Sequence, residues 1–267
     1  MHCVDTHFHV PPDALERRAT AEDVARQALE SSVWTVFKSH TTETVTAAKS
    51  LRDQGYPVSG SVVLGPGNSL CAPSCIRETS QLNRSNGGAR LIVYLPTGKV
   101  GDFSATRREW ISDGSPTRAL EELMRVCSEE EVILATGHLG RLEVETLYRM
   151  RREFPELVVL LTHCTHPIGG LGFEDIARYL SDTGWFGEVT ELTSRYGRRP
   201  FGEMLEVLNH DRVLLSSDHG QPESPARSEW PEVIERYQAA YPKYKELILE
   251  ASTIRPRSLI LDHGGPS

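Results

Sequence analysis

The chain has 267 residues, of which 39% are hydrophobic and 25% charged, and its formal net charge is −8. An acidic chain without a basic face does not attract nucleic acid or anionic lipid, so we expect neither as a partner. We find no run of about 18 apolar residues that would span a bilayer and no signal-peptide pattern, and we therefore predict a cytoplasmic protein. The five cysteines are an odd number, which does not fit a secreted disulfide framework.

The first half of the chain alternates predicted strands with predicted helices. The opening run, 4–9, is a predicted strand that ends in two histidines. Thr20 followed by Asp23 predicts a helix N-terminus, and this helix extends to Leu29. A β-branched and aromatic strand is predicted next, then a helix ended by Gly55. The predicted strands after the first cover 33–40, 58–64 and 91–95, and the second helix covers 43–54.

The second half begins with residues 97–114, which show no periodicity and are predicted to form a long loop. Ser115-Pro116 has the order of a cap followed by proline and predicts the start of a helix. The strand at 157–163 is almost wholly apolar before its last residue, as expected for a strand buried in a parallel sheet. The predicted strands are 132–138, 157–163, 185–191 and 213–218, and the helices are 142–154, 173–180, 201–209 and those within 229–261.

Eight strands separated by helices fit a closed (β/α)8 barrel, a TIM barrel, better than an open doubly wound sheet. Such barrels commonly form one domain of about 250 residues, so we expect a single domain over residues 1–267 with the C-terminal helices packed on the barrel. We find no glycine-rich dinucleotide motif after the first strand and no phosphate loop, which argues against a dinucleotide enzyme.

Polar residues stand at the C-terminal ends of the predicted strands, where these barrels build their active sites. Alternation along the first strand places Asp5, His7 and His9 on one face, with Val4, Thr6 and Phe8 on the other. Two imidazoles on one face can converge on a metal ion. The other polar residues at strand ends are Lys38, His40, His138, His163 and Asp218.

The ordered motifs VDTHFH, ATGH, LLTH and SSD resemble the amidohydrolase superfamily of metal-dependent hydrolases. The chain is similar to a branch of that superfamily without an assigned activity in VDTHFHVPPD, FKSH, LPT, LATGH and LLSSDHGQ. This resemblance spans nearly the whole chain and lies in the order and strand placement of the motifs. It implies a TIM barrel with a catalytic metal.

The resemblance also implies roles for individual residues. It assigns the metal ligands to His7, His9, His138 and Asp218. His163 would bind a second metal or orient the attacking water and the substrate oxygen. Superfamily members with two metals commonly bridge them through a carboxylated lysine or a glutamate on the fourth strand, and residues 94–97 contain neither. The departure favours one metal ion.

Three neutral imidazoles and one carboxylate suit Zn²⁺, with Mn²⁺ or Fe²⁺ as alternatives. An open coordination position would hold a water whose pKa the ion lowers towards about 7. Asp218 would accept a proton from that water and return it to the leaving group, while His163 polarises the scissile carbonyl. The expected reaction is hydrolysis of an amide, a cyclic amide or a lactone in a small molecule.

Lys38 and His40 share a face at the end of the second predicted strand, beside the first. Three roles compete for Lys38, which are a carbamate bridge between two metals, a cation for a substrate carboxylate, and a buried pairing with an acid such as Asp5. The second role would mean a carboxylate-bearing substrate.

The remaining polar residues are weaker candidates. His166 is expected behind the ligands or in a loop, and His219 and Gln221 at the mouth of the site. For Glu188 and Glu191, on the predicted seventh strand, a salt bridge or solvent contact is favoured over substrate binding.

Two other functions are compatible with these residues. The same pocket would support metal-dependent, non-hydrolytic decarboxylation, as in some superfamily members with one metal, and a cation at Lys38 favours it. The third alternative is a non-catalytic barrel, or one recruited as an assembly partner, in which the histidines are structural. A homo-oligomer is compatible with either function.

Overall fold

The computed structural model describes residues 3–65, 73–97, 110–226 and 229–262. The strands are β1 Cys3–His9, β2 Val33–Lys38, β3 Val58–Ser59, β4 Ser61–Val63, β5 Ile92–Tyr94, β6 Ile111–Ser112, β7 Ser115–Pro116, β8 Ile133–Ala135, β9 Val158–Leu161, β10 Trp185–Thr190 and β11 Val213–Ser216. The helices are α1 Ala21–Glu30, α2 Val45–Arg52, α3 Pro73–Arg84, α4 Arg118–Glu129, α5 Arg141–Met150, α6 Phe173–Leu180, α7 Glu191–Arg195, α8 Phe201–Leu208, α9 Trp230–Ala240, α10 Lys245–Ser252 and α11 Ile254–Ile260.

The barrel is built from parallel neighbours in the orders β1-β2-β3 and β4-β5-β8-β9-β10-β11. β3 and β4 are one strand interrupted at Gly60, where a Cβ would lie 2.4 Å from the Val45 backbone at the start of α2. The ring closes because the His9 N–H donates to the His219 carbonyl at 2.8 Å and the Asp218 N–H to the His7 carbonyl at 2.9 Å. The prediction of a TIM barrel is confirmed.

The apolar side chains form an inner core inside the barrel and an outer core under the helices. The inner core takes one residue from most strands, since alternate side chains of a strand point to opposite faces. Its strand residues are Val4, Val36, Val63, Ile92, Tyr94, Ile133, Ala135, Leu160 and Leu214. This packed interior closes the N-terminal side of the barrel and leaves the polar residues at the opposite end.

Strict alternation along β1 is wrong. The pairing of β1 with β2 shifts register between Asp5 and Phe8, as in a β-bulge. As a result Val4 belongs to the inner core whereas Phe8 packs with Val24 of α1 in the outer layer. Because of the bulge, the side chains at the end of β1 do not alternate between the two faces of the strand as regularly as the sequence analysis predicted.

The predicted helix start at Ser115-Pro116 is also wrong. These residues form β7, which pairs antiparallel with β6, and the helix begins two residues later. Thr117 is the cap, because its side chain accepts the N–H of Leu120 at 3.3 Å. Of the loop predicted at 97–114, residues 98–109 lie outside the described part of the chain, and Ile111–Ser112 is a strand.

Other boundaries differ in ways that matter for the site. β8, β9 and β11 end two or three residues before His138, His163 and Asp218, so these three side chains lie in turns after the strands. The predicted cap of α1 is confirmed, since Thr20 and Asp23 form a reciprocal capping box.

The C-terminal segment forms three helices, α9 to α11, and α10 and α11 contact β1 and β11. This agrees with the prediction that helices from this segment pack on the barrel. In the described part of the chain, no helix combines the length and the apolar composition needed to span a bilayer.

Candidate metal centre

Three ligating atoms converge where β1 meets the turn after β11. His7 Nε2 lies 3.3 Å from His9 Nε2 and 3.1 Å from Asp218 Oδ1. His9 Nε2 lies 3.3 Å from the same oxygen. The side chain of Asp218 is 14% exposed, whereas that of His7 is fully buried. Asp218 therefore forms the edge of this cluster that faces solvent.

The backbone conformation after β11 orients the Asp218 side chain towards the two histidines. Asp218 has a φ of 57°, in the left-handed region that non-glycine residues rarely adopt. Gly220, with a φ of 112°, lies so close to β1 that a Cβ would be 2.2 Å from the His9 carbonyl oxygen. The strained turn brings the carboxylate back over the end of β1, as expected where strain serves a site.

Glu188 of β10 holds the far side of the His7 ring. Its Oε2 lies 3.1 Å from His7 Nδ1 and accepts the His163 N–H at 3.1 Å. Thr6 and Ser216 donate their hydroxyls to Oε1 at 3.3 and 2.9 Å. Burial opposes ionisation of Glu188, but its interactions with His7, Lys38 and the His163 N–H together outweigh burial and lower the pKa. An ionised Glu188 keeps the proton on His7 Nδ1 and directs the Nε2 lone pair to the cluster.

Asp13 supports His9 in the corresponding way. Its Oδ2 lies 3.2 Å from His9 Nδ1, and its Oδ1 lies 3.0 Å from His40 Nδ1. Burial opposes ionisation here too, but hydrogen bonds with His40 and His9 outweigh it and lower the Asp13 pKa. Arg17 pairs with the same carboxylate, its Nη2 lying 2.6 Å from Oδ2. The His40 ring stacks on that of His9 with centroids 4.5 Å apart.

Sequence reasoning missed Asp13 and Arg17. The available signal was that Asp13 ends the motif VDTHFHVPPD, although no pattern pointed to Arg17. The contacts of Asp5 also differ from the suggested pairing with Lys38. Its carboxylate accepts the N–H and hydroxyl of Ser217 at 2.9 and 2.5 Å, so it joins β1 to the turn after β11.

Lys38, the last residue of β2, enters the cluster itself. Its Nζ lies 2.9 Å from His7 Nε2 and 4.2 Å from the centroid of the Tyr94 ring. Burial lowers the pKa of Lys38 to about 8, and the charges of Asp218 and Glu188 offset part of that effect. The ammonium donates to the His7 lone pair and places positive charge where the ligating atoms meet.

His138 and His163 face each other across the ends of β8 and β9. Their Nε2 atoms are 3.2 Å apart, and the His163 ring stacks on that of His7 with centroids 5.9 Å apart. Burial lowers the pKa of His138 to about 2 and holds that of His163 well below its usual value. Both rings are therefore neutral near pH 7, with one donating to the other.

The weaker candidates separate into half-buried and buried residues. His166 lines the cavity described below, and its Nδ1 accepts the Ile168 N–H at 3.0 Å. His219 is fully buried, with Nε2 2.6 Å from Glu191 Oε2, so its prediction at the mouth is wrong. Glu191 is the first residue of α7 rather than a strand residue. Glu188 is fully buried and pairs with His7, so solvent contact is excluded for it.

A cavity of about 370 Å³ opens above these residues. Its polar floor consists of His9, Lys38, His138, His163 and Asp218. Three of the large hydrophobic side chains that the described chain exposes, Leu15, Ile168 and Tyr196, line the same cavity. Arg198 and Gln221 contribute polar groups to its wall. The cavity thus has titratable groups at its base and apolar contacts beside an arginine.

The cluster of His7, His9 and Asp218 fits a divalent metal. Two ligands about 2.1 Å from a zinc ion at tetrahedral angles lie about 3.4 Å apart, close to the separations of 3.1 to 3.3 Å between these atoms. The Lys38 ammonium meets the lone pair of His7 Nε2, 2.9 Å away. Burial lowers the His9 pKa to about 3, which disfavours a proton on His9 and leaves its Nε2 lone pair facing His7. A metal ion satisfies this donor set.

The structure does not place His138 in that close set. Among the described residues, the groups whose ligating atoms all lie within 4.8 Å of one another are His7-His9-Asp218 and His9-Asp13-His40. Ligation by His138 requires it to approach the other three, so its role as a ligand stays a prediction.

Residues 2–188 match the model of DUF6282, a family of unknown function. No curated protein sequence matches the chain.

Solved structures with the same fold cover almost the whole chain. An uncharacterised TIM-barrel protein from Bordetella bronchiseptica has a TM-score of 0.62 and 14% identity, covering 97% of this chain and 98% of its own. Dihydroorotase from Campylobacter jejuni has a TM-score of 0.60 and 12% identity, and the match covers 100% of this chain and 84% of the dihydroorotase chain. A 2,6-dihydroxybenzoate decarboxylase from Rhizobium has a TM-score of 0.56 and 11% identity, covering 97% and 98%. All three similarities lie below 25% identity and show a shared fold, so the predicted resemblance is confirmed in the fold.

Proposed function

The chain belongs to the DUF6282 family of unknown function, and we propose that it is a metal-dependent hydrolase that cleaves an amide, a cyclic amide or a lactone in a small molecule. The observation that carries this proposal is the convergence of His7, His9 and Asp218 at 3.1 to 3.3 Å at the base of an open cavity. Their ring and carboxylate atoms match the ligands and spacing that zinc prefers, with Mn²⁺ and Fe²⁺ as alternatives.

Each residue has a defined task in this proposal. A bound metal ion supplies a Lewis acid and lowers the pKa of water. Asp218, exposed at its outer edge, accepts a proton from the attacking water and returns it to the leaving nitrogen or oxygen as the scissile bond breaks. His138 lies outside the close ligand set and next to His163, and in this proposal these two residues orient the substrate carbonyl.

The cavity wall supports a substrate with an apolar body and a carboxylate. Tyr196 and Ile168 are 46% and 38% exposed and offer apolar contact. Arg198 lines the same cavity, and no ion pair of its side chain occurs within the described ranges. Lys38 points into the ligand cluster instead, so Arg198 is the better partner for a carboxylate distant from the reacting bond.

The test of the function starts with metal content and Asp218. The purified protein should contain about one zinc ion per chain. Asp218→Asn keeps the shape but removes the basic site, so hydrolysis of a verified substrate should fall by at least about 10²-fold while the variant stays folded. A chain that binds no divalent metal, or an Asp218→Asn variant with near-normal turnover, would show the proposal to be wrong.

The carboxylate preference is tested separately with hydroxamate probes, which bind metals. Succinic, glutaric and adipic monohydroxamates vary the distance to a terminal carboxylate, and acyl hydroxamates of the same lengths with a terminal methyl group are the controls. At one length the carboxylate should improve binding by about tenfold, the effect of one charged hydrogen bond. Arg198→Met should remove that gain without changing zinc content or the binding of the methyl controls.

A second candidate is metal-dependent, non-hydrolytic decarboxylation. The observation that favours it is Lys38 Nζ at 2.9 Å from His7 Nε2, a cation inside the cluster that would hold a reacting carboxylate. In that reaction the C–C bond breaks, carbon dioxide leaves and a proton replaces it on carbon. Release of carbon dioxide, with no ¹⁸O from labelled water in the organic product, would favour decarboxylation over hydrolysis.

A further inference from the structure

One nitrogen atom of Arg17 touches three residues of the kind that hold metals. Its Nη2 lies 2.6 Å from Asp13 Oδ2, 3.1 Å from His9 Nδ1 and 3.1 Å from His40 Nδ1. These residues form the second group whose ligating atoms lie within 4.8 Å of one another. Arg17 Nη2 therefore occupies the place that an ion bound by this group would take.

We propose that Arg17 is a built-in cation that fills a second metal position beside the first, so that the protein holds one metal ion where its residues would otherwise hold two. This inference rests on the proposed function, because His9 contributes Nε2 to the first site and Nδ1 to the second. It assigns Asp13 and His40 as the latent ligands of that position.

The burial of Arg17 supports a fixed cation. The side chains of Arg17 and Asp13 are both fully buried, and Arg17 Nε also donates to Asp13 Oδ2 at 2.9 Å. Two donors of one guanidinium therefore hold the same carboxylate oxygen. A buried carboxylate needs such a partner, because an unpaired charge away from water is costly.

The environment of Arg17 Nη1 separates this arrangement from an ordinary ion pair. This atom is buried, and it has no hydrogen-bond partner in the described part of the chain. A guanidinium placed only to pair with Asp13 would gain by turning its remaining donors to acceptors or water. Here the group is instead held with Nη2 among three possible ligands at the expense of Nη1.

The protons of the two histidines agree with a single ion. Asp13 Oδ2 lies 3.2 Å from His9 Nδ1 and Asp13 Oδ1 lies 3.0 Å from His40 Nδ1, so both nitrogens are placed to donate to this carboxylate. With its proton on Nδ1, His9 offers only Nε2 to a metal ion. His9 Nδ1 and Arg17 Nη2 lie 3.1 Å apart because both donate to the carboxylate of Asp13. Removal of Arg17 frees Asp13 and His40 for an ion, because metal binding displaces ligand protons.

The experiment measures zinc stoichiometry after dialysis against buffered free zinc at about micromolar concentration. We expect about one zinc per chain in the wild type and about two in Arg17→Met, with the second bound more weakly. Arg17→Lys, which keeps a cation, and Arg18→Met, at an exposed neighbour, should both stay near one. The double variant Arg17→Met, His40→Ala should return to one, since it lacks a ligand of the second position.

A folded Arg17→Met variant that never exceeds one zinc would overturn the inference while leaving the proposed function intact. A wild type that binds no zinc would instead contradict the proposed function. If Arg17→Met does not fold, the single variant His40→Ala decides the matter. It should keep the one zinc of the wild type, and loss of that zinc would show that His40 already serves a metal and that Arg17 is not a substitute for one.

Discussion

The histidines at the mouth of the barrel fall into two halves that are held differently. In the half on β1, the far nitrogens of His7 and His9 each face a carboxylate, at 3.1 and 3.2 Å. In the half after β8 and β9, His138 and His163 face each other with Nε2 atoms 3.2 Å apart. The carboxylates of Glu188 and Asp13 fix the proton and orientation of His7 and His9, whereas the contact between His138 and His163 joins the two rings directly.

This difference indicates a division of work. The first half is organised as a ligand set before any ion arrives, because its lone pairs already point at Asp218. The second half contains two neutral rings that can exchange their mutual hydrogen bond for one with a substrate oxygen. We therefore expect substitutions in the first half to change metal content and those in the second half to change turnover.

The largest contrast should come from removing one ring in each half. His7→Asn should reduce zinc from about one per chain to almost none, because it removes a ligand and breaks the contact with Glu188. His138→Asn should keep more than half of its zinc under the same conditions. Metal analysis of both folded variants checks this, and equal loss from the two would show that the halves form one ligand set.

The carboxylate behind His7 should have a smaller effect. Glu188→Gln no longer fixes the proton on Nδ1, and zinc affinity should fall by about 10 to 100-fold, as is typical of groups that orient a metal-binding histidine. Glu191→Gln is the matched control, since Glu191 is a buried acid that pairs with His219 instead. Competition with a fluorescent zinc chelator measures both affinities. An unchanged affinity in Glu188→Gln would remove the distinction between the two halves.

Lys38 tests whether the first half also serves the substrate. Lys38→Met removes a cation next to His7, so zinc should be retained and turnover should fall by about tenfold, the effect of one charged hydrogen bond. Zinc content and steady-state kinetics are measured on the same sample. Loss of zinc with recovery on adding short carboxylic acids would instead assign Lys38 as a carboxylated ligand.

The smallest effect concerns acid sensitivity of the metal-free protein. Burial lowers the pKa of His138 from 6.5 to about 2, so below pH 6.5 the unfolded chain binds a proton that the folded chain does not. Stability should therefore fall as the pH decreases from 6.5, by up to about 1.4 kcal/mol per pH unit for this group. Urea unfolding of chelator-treated His138→Asn should show a shallower decline than wild type. Parallel declines would mean that His138 is charged in the fold.

The sequence predicted elements better than their ends. The barrel and the close approach of His7, His9 and Asp218 follow from motif order and from strand ends meeting at one edge of a barrel. The bulge in β1 and the left-handed turn at Asp218 were not readable, because they depend on the packing of β1 against the end of β11. The hairpin at Ser115–Pro116 was missed because Ser-Pro is also the local pattern of a helix start. Pairing with Ile111–Ser112 decides against the helix, and that pairing depends on the tertiary structure.

The sequence by itself determined which chemical groups reach the mouth of the barrel, because hydrophobic periodicity sets the strands and a polar residue after each strand must lie at the same end. Only the tertiary structure decided how those groups are paired. His9 contacts Asp13 and Arg17, and His7 contacts Glu188 of β10. The orientation and proton position of each imidazole depend on these distances of about 3 Å, which no sequence spacing specifies. For this reason the set of candidate ligands and the cation Lys38 were predictable, whereas Arg17 beside His9 was not.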